Sequence, residues 1–403
     1  MKRGLTVLAV VMSASVLRAQ MEVGSFSGPV TKAELDSFRA YVTTLTPAEN
    51  NLGNQWAQGH SGEETKAMGL VYEIGHDQGT LDQMIRFCDA VLSERNDLAP
   101  VPVGQHVMWT GDIAPVWPNL VTPQPLNTGG EQGDPVGHLG NCARLILETP
   151  KIWKQKVPID DPHGYGATYL ERAKTFVAGA DFAVDHHILK DELDLSNKGR
   201  QYFSAKDPYK SGQPVPWNQQ MMFNYAFQNL AAAHELLKDA PERVVRYRRI
   251  VQDSVDWFFS EGVKTYKDKD GNQAYNWGYA LPSTAGEDQN HAALDVAGFA
   301  RAYSSGKYRI SAEEMRDFAD TIVDVLTESA TKYAGKVDGT SGVGHASSTA
   351  TLRSAYLLLA EFRPDAYRDM LAGAGLTENG TTASCDLFSR FLWVKYRRSL
   401  GGR

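Results

Sequence analysis

The chain repeats one theme along most of its length: a polar loop, an amphipathic helix, a turn and a second, more charged helix. Apolar residues recur at helical spacing in "EETKAMGLVYEIGH" and then in "LDQMIRFCDAVLSER", and later pairs follow the same order. The first helix of each pair is richer in small and apolar residues, which is typical of enclosed helices. Hairpins spaced roughly 70 residues apart exceed the period of ordinary solenoids. We therefore predict an all-α fold, an (α/α) toroid of roughly six (five to seven) hairpins.

The periodicity also predicts particular helices and loops. One predicted helix runs over 312–333 and another over 347–362. The longest loops cover 97–133, 191–217 and 264–286. Long ordered loops are commonly functional, and in a toroid the loops that lead into inner helices lie on one face. We expect the ligand site on that face, where helix N-termini favour an acidic ligand.

The N-terminus, "MKRGLTVLAVVMSASVLRAQ", has a basic start, an apolar run and a possible cleavage point after Ala19. Residues 1–19 are therefore predicted to be a signal peptide, and residues 20–403 a single toroid domain that is secreted or periplasmic. No later apolar run is long enough to predict a membrane span. Cleavage would remove three positive side chains and take the formal net charge from −7 to −10. This acidic balance argues against a nucleic-acid partner.

Polar residues stand where loops enter the predicted inner helices. These positions are His60, His138, Asn218, His291 and His345. A histidine there can act as a general base near neutral pH, with a neighbouring tyrosine as the acid. For any one of these residues, capping the helix or packing in the rim is the alternative.

The stretch "GEDQNHAALDV" is the most informative of these helix starts. Asp288 is a natural N-cap, and His291 follows three residues later. Asp295 lies one helical turn beyond His291, so we expect it to hold the imidazole by hydrogen bonding. For Glu287 and Asp288, stabilising the helix N-terminus remains an alternative to a catalytic role.

The loops before two inner helices add an acid and an amide. "YNWGYALP" places Tyr275, Trp277 and Tyr279 in a loop, where a phenol near an imidazole could transfer a proton at a glycosidic oxygen. Asn218 in "PVPWNQQ" could hydrogen-bond a carboxyl group and favour its enolate-like form, or it could cap its helix.

Aromatic rings and an inward cation are the expected substrate contacts. Tryptophan rings can form the walls of a sugar-binding cleft. An arginine inside an inner helix more often pairs with an internal acid, but one that faces the cavity would bind an acidic sugar. The predicted substrate-binding residues are Trp109, Trp117, Trp217, Trp277, His138 and Arg353.

Motifs for metals and cofactors give no positive signal. "DKDGNQ" resembles the start of a calcium loop, but Tyr279 stands where a bidentate glutamate is required, so we predict a turn. His186 and His187 are adjacent, and adjacent helical residues diverge too far to share a metal ion. We therefore predict no metal and no cofactor.

The chain resembles secreted polysaccharide lyases with an (α/α) toroid fold that act on uronate polymers such as alginate and glucuronan. The resemblance covers the hairpin organisation and the motifs "PWNQQMMF", "YNWGY" and "EDQNHAALD". These families combine an amide that neutralises a carboxylate with a histidine, a tyrosine and often an arginine. The resemblance implies the following roles: Asn218 or Asn290 as neutraliser, His291 as base, Tyr279 as acid, and Arg353 or His345 assisting.

The implied reaction is β-elimination from an acidic polysaccharide, which needs no metal. One alternative is a toroid glycoside hydrolase that uses carboxylates such as Glu287 with Asp288 or Asp295. The other is a non-catalytic, exported glycan-binding protein, which aromatic loops would also suit. In each case we expect a monomer. The sequence leaves open which uronate polymer is bound and whether cleavage is internal or from a chain end.

Overall fold

The predicted all-α class is confirmed. A computed structural model describes residues 20–122 and 124–401 of the chain. The α-helices in these ranges are α1 Lys32–Val42, α2 His60–Gly75, α3 Gln78–Ser93, α4 Gly133–Leu147, α5 Tyr169–Ala183, α6 Trp217–Leu237, α7 Pro241–Trp257, α8 Gln289–Ser305, α9 Ala312–Asp320, α10 Tyr367–Gly373 and α11 Cys385–Gly401. The predicted signal peptide, residues 1–19, lies outside the described residues.

The helices form two concentric rings. The inner ring runs α2, α4, α6, α8, the 3₁₀ helix Ser354–Leu359, α11 and back to α2, and each member contacts the next. The helices α1, α3, α5, α7, α9 and α10 pack against its outside. Almost every residue of α4 and α6 is buried, whereas α7 buries one face only. The described part of the chain is therefore the predicted (α/α) toroid, with six inner elements.

The two ends of the described chain close the ring. Strand β1 (Met21–Glu22) pairs antiparallel with β8 (Thr381–Thr382), and α1 packs on α11. Between these helices, Lys395 Nζ donates to both carboxylate oxygens of Glu34, at 2.7 and 2.9 Å, and both side chains are buried. A buried ion pair therefore joins the first and last helices of the described chain.

Short β-hairpins mark one face of the toroid. Helices α5, α7 and α9 each continue through a π-helical segment into a two-stranded antiparallel hairpin. The hairpins are β2 (Leu193–Asp194) with β3 (Tyr202–Phe203), β4 (Val263–Lys267) with β5 (Gln273–Trp277), and β6 (Thr327–Ser329) with β7 (Lys332–Tyr333). Each hairpin is followed by an inner element, so the long loops gather where inner helices begin, as predicted. The segment "DKDGNQ" forms the predicted turn between β4 and β5.

Two predicted helices are wrong in part. The helix predicted over 312–333 ends its α-helical course at Asp320 and gives way to β6 and β7, and Ser354–Leu359 is the helical part of 347–362. Serine and threonine side chains cause the second error, because they bond to nearby backbone in non-helical conformations. Thr349 donates to the Thr351 carbonyl at 2.8 Å, and its backbone pairs with Tyr333.

Membrane insertion by a helix has no support in the described part of the chain. None of the helices there combines the length and the apolar character needed to cross a bilayer.

Candidate active site

The start of α8 holds a histidine in a fixed orientation. Asp288 caps the helix, since its Oδ1 accepts from the backbone N–H groups of Asn290 and His291 at 2.9 and 3.1 Å. Its other oxygen, Oδ2, accepts from His291 Nδ1 at 2.6 Å. Nδ1 therefore carries the hydrogen, and Nε2 has no hydrogen-bond partner among the described residues. The predicted cap is present, and the cap also orients the imidazole.

The prediction that Asp295 holds the imidazole is wrong. Asp295 is fully buried, and its Oδ2 accepts from Trp277 Nε1 at 2.9 Å. Its side chain points into the core behind β5, whereas Asp288 is within reach because an N-cap side chain bends back over the first turn.

The three acids beside His291 divide by protonation state. Burial raises the pKa of Glu287 well above its usual range, and the charges of Asp295 and Asp288 add to the shift. Burial raises the pKa of Asp295 in the same way. Burial would also raise the pKa of Asp288, but hydrogen bonds from His291 outweigh it and lower the pKa overall. At neutral pH the histidine thus faces one ionised carboxylate, that of Asp288.

Replacing Asp295 by asparagine should flatten the pH dependence of stability. Between the ordinary pKa of 3.8 and the raised one, folding takes up a proton at Asp295, so stability falls as the pH rises through this window. Asp295→Asn removes that proton uptake and reduces the slope by up to about 1.4 kcal/mol per pH unit. Urea unfolding across this range measures the slope. Asp160→Asn, which changes an exposed carboxylate, is the control; equal slopes in both variants would contradict the prediction.

Three other loops bring functional groups to His291. The ring of Tyr279, just after β5, lies 4.9 Å from the imidazole, and the ring of His345 lies 6.0 Å away on the other loop. Lys210 Nζ lies 3.4 Å from the Tyr279 hydroxyl and 4.7 Å from the centre of its ring. Burial raises the pKa of Tyr279 above its usual value, so the phenol keeps its proton. The structure thus brings together Tyr279, His291 and His345, whereas His138 of the predicted rim pattern lies in the core and His60 is exposed.

Lys210 was missed by the sequence prediction, as was a neighbouring polar pocket. A cavity of about 170 Å³ adjoins the site, and its walls include Asn54, Gln58, Asn119, Asn127, Gln219, Glu131 and Tyr209. Tyr209, which lines the pocket, and Tyr279, beside His291, both contact Lys210, with ring centres 5.4 and 4.7 Å from its Nζ, so Lys210 lies between the pocket and the histidine site. Amide side chains offer both donors and acceptors, which suits sugar hydroxyl groups. The only sequence signal was the position of Tyr209 and Lys210 in a long loop.

A larger cavity of about 540 Å³ runs along the inner helices. Seven lysine and arginine side chains and four carboxylates line it, and three of these cations pair with Glu235 or Glu361 just outside the lining, which leaves one net positive charge. These residues are Lys66, Arg144, Arg248, Arg301, Lys307, Arg390 and Arg397, and Glu73, Asp134, Glu148 and Asp386. The whole chain has a net charge of −7, so the sign reverses inside the toroid. Such a field attracts anionic ligands.

One candidate amide lines this cavity beside the histidine site, because Trp217, the residue before Asn218, donates its backbone N–H to the Tyr279 carbonyl at 3.1 Å. Asn218 lines it and is 3% exposed, and its Oδ1 has no hydrogen-bond partner among the described residues. Asn290 precedes the lining residues Leu294 and Arg301 by four and eleven positions, so helical periodicity places it on the same face of α8. Either amide is positioned to contact a ligand that enters from the rim.

Most of the predicted sugar-binding tryptophans are core residues. Trp117, Trp217 and Trp277 are fully buried, and Trp117 Nε1 donates to the Val91 carbonyl at 2.6 Å. Trp109 is partly exposed, but it packs on a small separate cluster and lines neither cavity. The predicted cleft walls are therefore wrong for the three buried rings, because large aromatic side chains beside inner helices gain more from burial.

Two further predicted contacts lie elsewhere than expected. His138 is fully buried, its Nε2 bonds to the Trp56 carbonyl at 2.6 Å, and burial lowers its pKa well below the usual value, so it is a neutral core residue. Arg353 is exposed and precedes the 3₁₀ helix Ser354–Leu359 instead of lying within an inner helix. The structure gives it no ion pair among the described residues.

One group near the rim could hold a metal ion. Glu287, Asp288 and His291 each offer a ligand atom, and within the described ranges these atoms all lie within 4.8 Å of one another. The His291 nitrogen in reach is Nδ1, which already donates to Asp288. Without a metal ion, the same contact is a hydrogen bond between the Asp288 carboxylate and the His291 imidazole.

Comparison with known proteins finds similarity of fold. No protein-family model matches the chain, and no curated protein matches it in sequence. The structure is similar to a β-1,3-1,4-glucanase from Paenibacillus sp. X4, with a TM-score of 0.50 and 10% identity over 94% of this chain and 96% of that one. An unsaturated glucuronyl hydrolase from Bacillus sp. GL1 gives a TM-score of 0.45 and 12% identity over 86% and 88% of the two chains. At these identities the similarity concerns the fold.

Proposed function

We propose that the chain is a glycan-acting enzyme, a lyase that cleaves a uronate-containing polysaccharide of the alginate or glucuronan class by β-elimination. The observation that carries the proposal is the packing of Tyr279 against His291, with Asp288 holding the imidazole, next to Asn218, which lines a positively charged cavity. An acid, a base and an anion-attracting cavity are the three requirements of this reaction. The fold similarity to a glucanase supports the broader assignment by analogy only.

In the proposed reaction, each group has one task. The amide of Asn218 or Asn290 hydrogen-bonds the C6 carboxyl group and stabilises the negative charge that develops there. His291 Nε2 removes the C5 proton, and the imidazolium that forms is stabilised by Asp288. The electrons form the C4–C5 double bond and expel the 4-linked oxygen, which takes the proton of the Tyr279 hydroxyl. The products are an unsaturated uronate and a new chain end.

Lys210 fits the last of these steps. Its ammonium lies 3.4 Å from the Tyr279 hydroxyl, so it would stabilise the phenolate left after proton transfer. Burial lowers the pKa of Lys210, because its ammonium group is partly desolvated beside the phenol.

Replacing Lys210 by methionine should lower kcat about tenfold, because the phenolate loses roughly 1.4 kcal/mol of stabilisation. Lys210→Met keeps most of the side-chain volume against Tyr209 and Tyr279. Lys206→Met, in the same loop but exposed, is the matched control and should leave kcat unchanged. Initial rates at saturating substrate test the prediction; an equal effect of both substitutions would mean that only overall charge matters.

The experiment that tests the reaction is a panel of acidic polysaccharides. Polymannuronate, polyguluronate, glucuronan and hyaluronan are each incubated with the protein while ultraviolet absorbance is followed. β-Elimination creates an unsaturated uronate that absorbs, whereas hydrolysis creates none. Absence of new absorbance with all four polymers would refute the lyase proposal.

A hydrolase is the second candidate, and the raised pKa of Glu287 favours it. A carboxyl group that is protonated at neutral pH can serve as the general acid of a glycosidase. Against this, Glu287 is 3% exposed, and its Oε1 accepts from the backbone N–H of Asp288 at 2.8 Å. New reducing ends without ultraviolet absorbance would identify hydrolysis.

We also propose that the protein is exported, because residues 1–19 have the charge and apolar pattern of a signal peptide. N-terminal sequencing of the extracellular or periplasmic protein should then begin at Gln20. A mature protein that retains Met1 would exclude cleavage.

A further inference from the structure

One cation of the large cavity lacks a carboxylate partner. The guanidinium of Arg301 lies 4.4 Å from the centre of the Tyr225 ring, and the structure gives it no hydrogen bond or ion pair among the described residues. Every other lysine and arginine that lines the cavity has a carboxylate within 4.0 Å. These pairs are Lys66 with Asp134, Arg144 with Glu73 and Glu148, Arg248 and Lys307 with Glu235, Arg390 with Asp386, and Arg397 with Glu361.

Arg301 lies well below the rim. It follows Asn290 by eleven residues on α8, which corresponds to about 16 Å along the helix axis. Leu294, Ala297 and Gly298 form the wall between them. Cavities of 300 to 1,000 Å³ typically enclose small-molecule ligands, and this one has about 540 Å³. The distance from Asn290 to Arg301 is thus long enough for the reacting sugar and at least one further sugar of the chain.

We propose that the cavity receives one end of the acidic glycan chain, with a carboxylate of the inserted sugars bound by Arg301, so that the enzyme cleaves from a chain end. This inference rests on the proposed function and extends it from the bond that breaks to the part of the substrate that is held.

The physical basis is the absence of an ion pair at Arg301: Asp134 interacts with it electrostatically but makes its ion pair with Lys66. A guanidinium binds a carboxylate through two parallel hydrogen bonds, and the bond is stronger away from bulk water. At a residue that is already paired, a ligand carboxylate would have to displace an internal acid. At Arg301 it meets a half-buried cation that Tyr225 already holds in place, so little order is lost on binding.

Direct binding tests the site without relying on turnover. Saturated trisaccharides of mannuronate, guluronate and glucuronate are titrated into the protein by calorimetry, with the neutral glucose trisaccharide cellotriose as the uncharged probe. Arg301→Gln should weaken binding of the preferred uronate 10- to 100-fold, the loss expected for a hydrogen bond to a charged group. Arg301→Lys should restore part of it, and Arg309→Gln, at an exposed position, should have no effect.

The product pattern provides an independent readout. Cleavage from a chain end releases short products of one size from the first minutes, while long chains persist. A broad range of early product lengths, or equal affinity of the wild-type and Arg301→Gln proteins for the trisaccharides, would overturn the proposal. Thermal melting of each variant identifies a loss of affinity that comes from misfolding.

The two proposals fail in different ways. Trisaccharide binding that depends on Arg301, without any unsaturated product, would refute β-elimination and keep the cavity site. Unsaturated products of broad length, with Arg301→Gln fully active, would keep the reaction and refute binding of chain ends.

Discussion

His291→Ala should lower kcat/KM for the best polymer of the panel by about 10²- to 10⁴-fold, the usual contribution of a positioned general base. Asp288 fixes the Nδ1 hydrogen, so Nε2 is the nitrogen free to accept the C5 proton. Alanine removes that acceptor and leaves the α8 cap intact, since Asp288 caps through backbone N–H groups. Initial rates of ultraviolet absorbance measure the loss, and trisaccharide affinity should change little.

His60→Ala is the matched control. His60 also begins an inner helix, but it is exposed, and the structure gives it no hydrogen-bond or ring partner among the described residues. Asp288→Asn separates the two tasks of Asp288, because asparagine caps helices as well as aspartate but cannot stabilise an imidazolium. It should retain stability and lose activity. Similar rates for His291→Ala and His60→Ala would remove His291 from the reaction.

The capping acid and the base depend on the buried acids around them. If Glu287 and Asp295 were ionised together with Asp288, two negative charges would lie within 4 Å of the imidazole and a third would lie in the core behind it. Burial keeps Glu287 and Asp295 protonated, so only the Asp288 charge acts on His291. The charge that acts on His291 is therefore set by burial of the neighbouring acids as much as by the hydrogen bond from Asp288.

Local signals predicted the part of the site that local geometry determines. The cap at Asp288 and the placement of His291 follow from a spacing of three residues at a helix start, and Tyr279 and His345, each predicted from its own loop, lie against that histidine. Asp295 was misjudged because a spacing of four residues does not reveal which side of a helix faces the core. Trp277 was misjudged with it, since the two bond to each other in the interior.

The groups that were missed depend on contacts far apart in sequence. Lys210 meets Tyr279 across 69 residues, and the charge of the central cavity comes mainly from four inner helices, α2, α4, α8 and α11, with Arg248 added by outer helix α7. No short motif records either arrangement. Hairpin periodicity predicted the ring itself, because each helix pair buries its apolar face locally. The helix predicted over 347–362, the fifth inner element, was wrong in part, because its serines and threonines favour extended backbone.

Lys395→Met should lower the free energy of unfolding by about 3 to 5 kcal/mol, the usual cost of removing one partner from a buried ion pair. Lys395 and Glu34 are each 1% exposed, and methionine fills most of the lysine volume, so the loss comes from the unpaired carboxylate of Glu34. The pair joins α11 to α1, where the two ends of the described chain meet. Urea unfolding at neutral pH measures the change.

A second substitution shows whether charge is the cause. In the double variant Lys395→Met with Glu34→Gln, the buried charge is gone, while the amide oxygen can still accept from the backbone N–H of Thr31. The double variant should therefore be more stable than Lys395→Met alone, even though it carries one more change. Lys32→Met, which removes an exposed pair with Asp36 on the same helix, should leave stability nearly unchanged. If the double variant is instead less stable than Lys395→Met, packing between α1 and α11, and not the ion pair, holds the two ends of the described chain together.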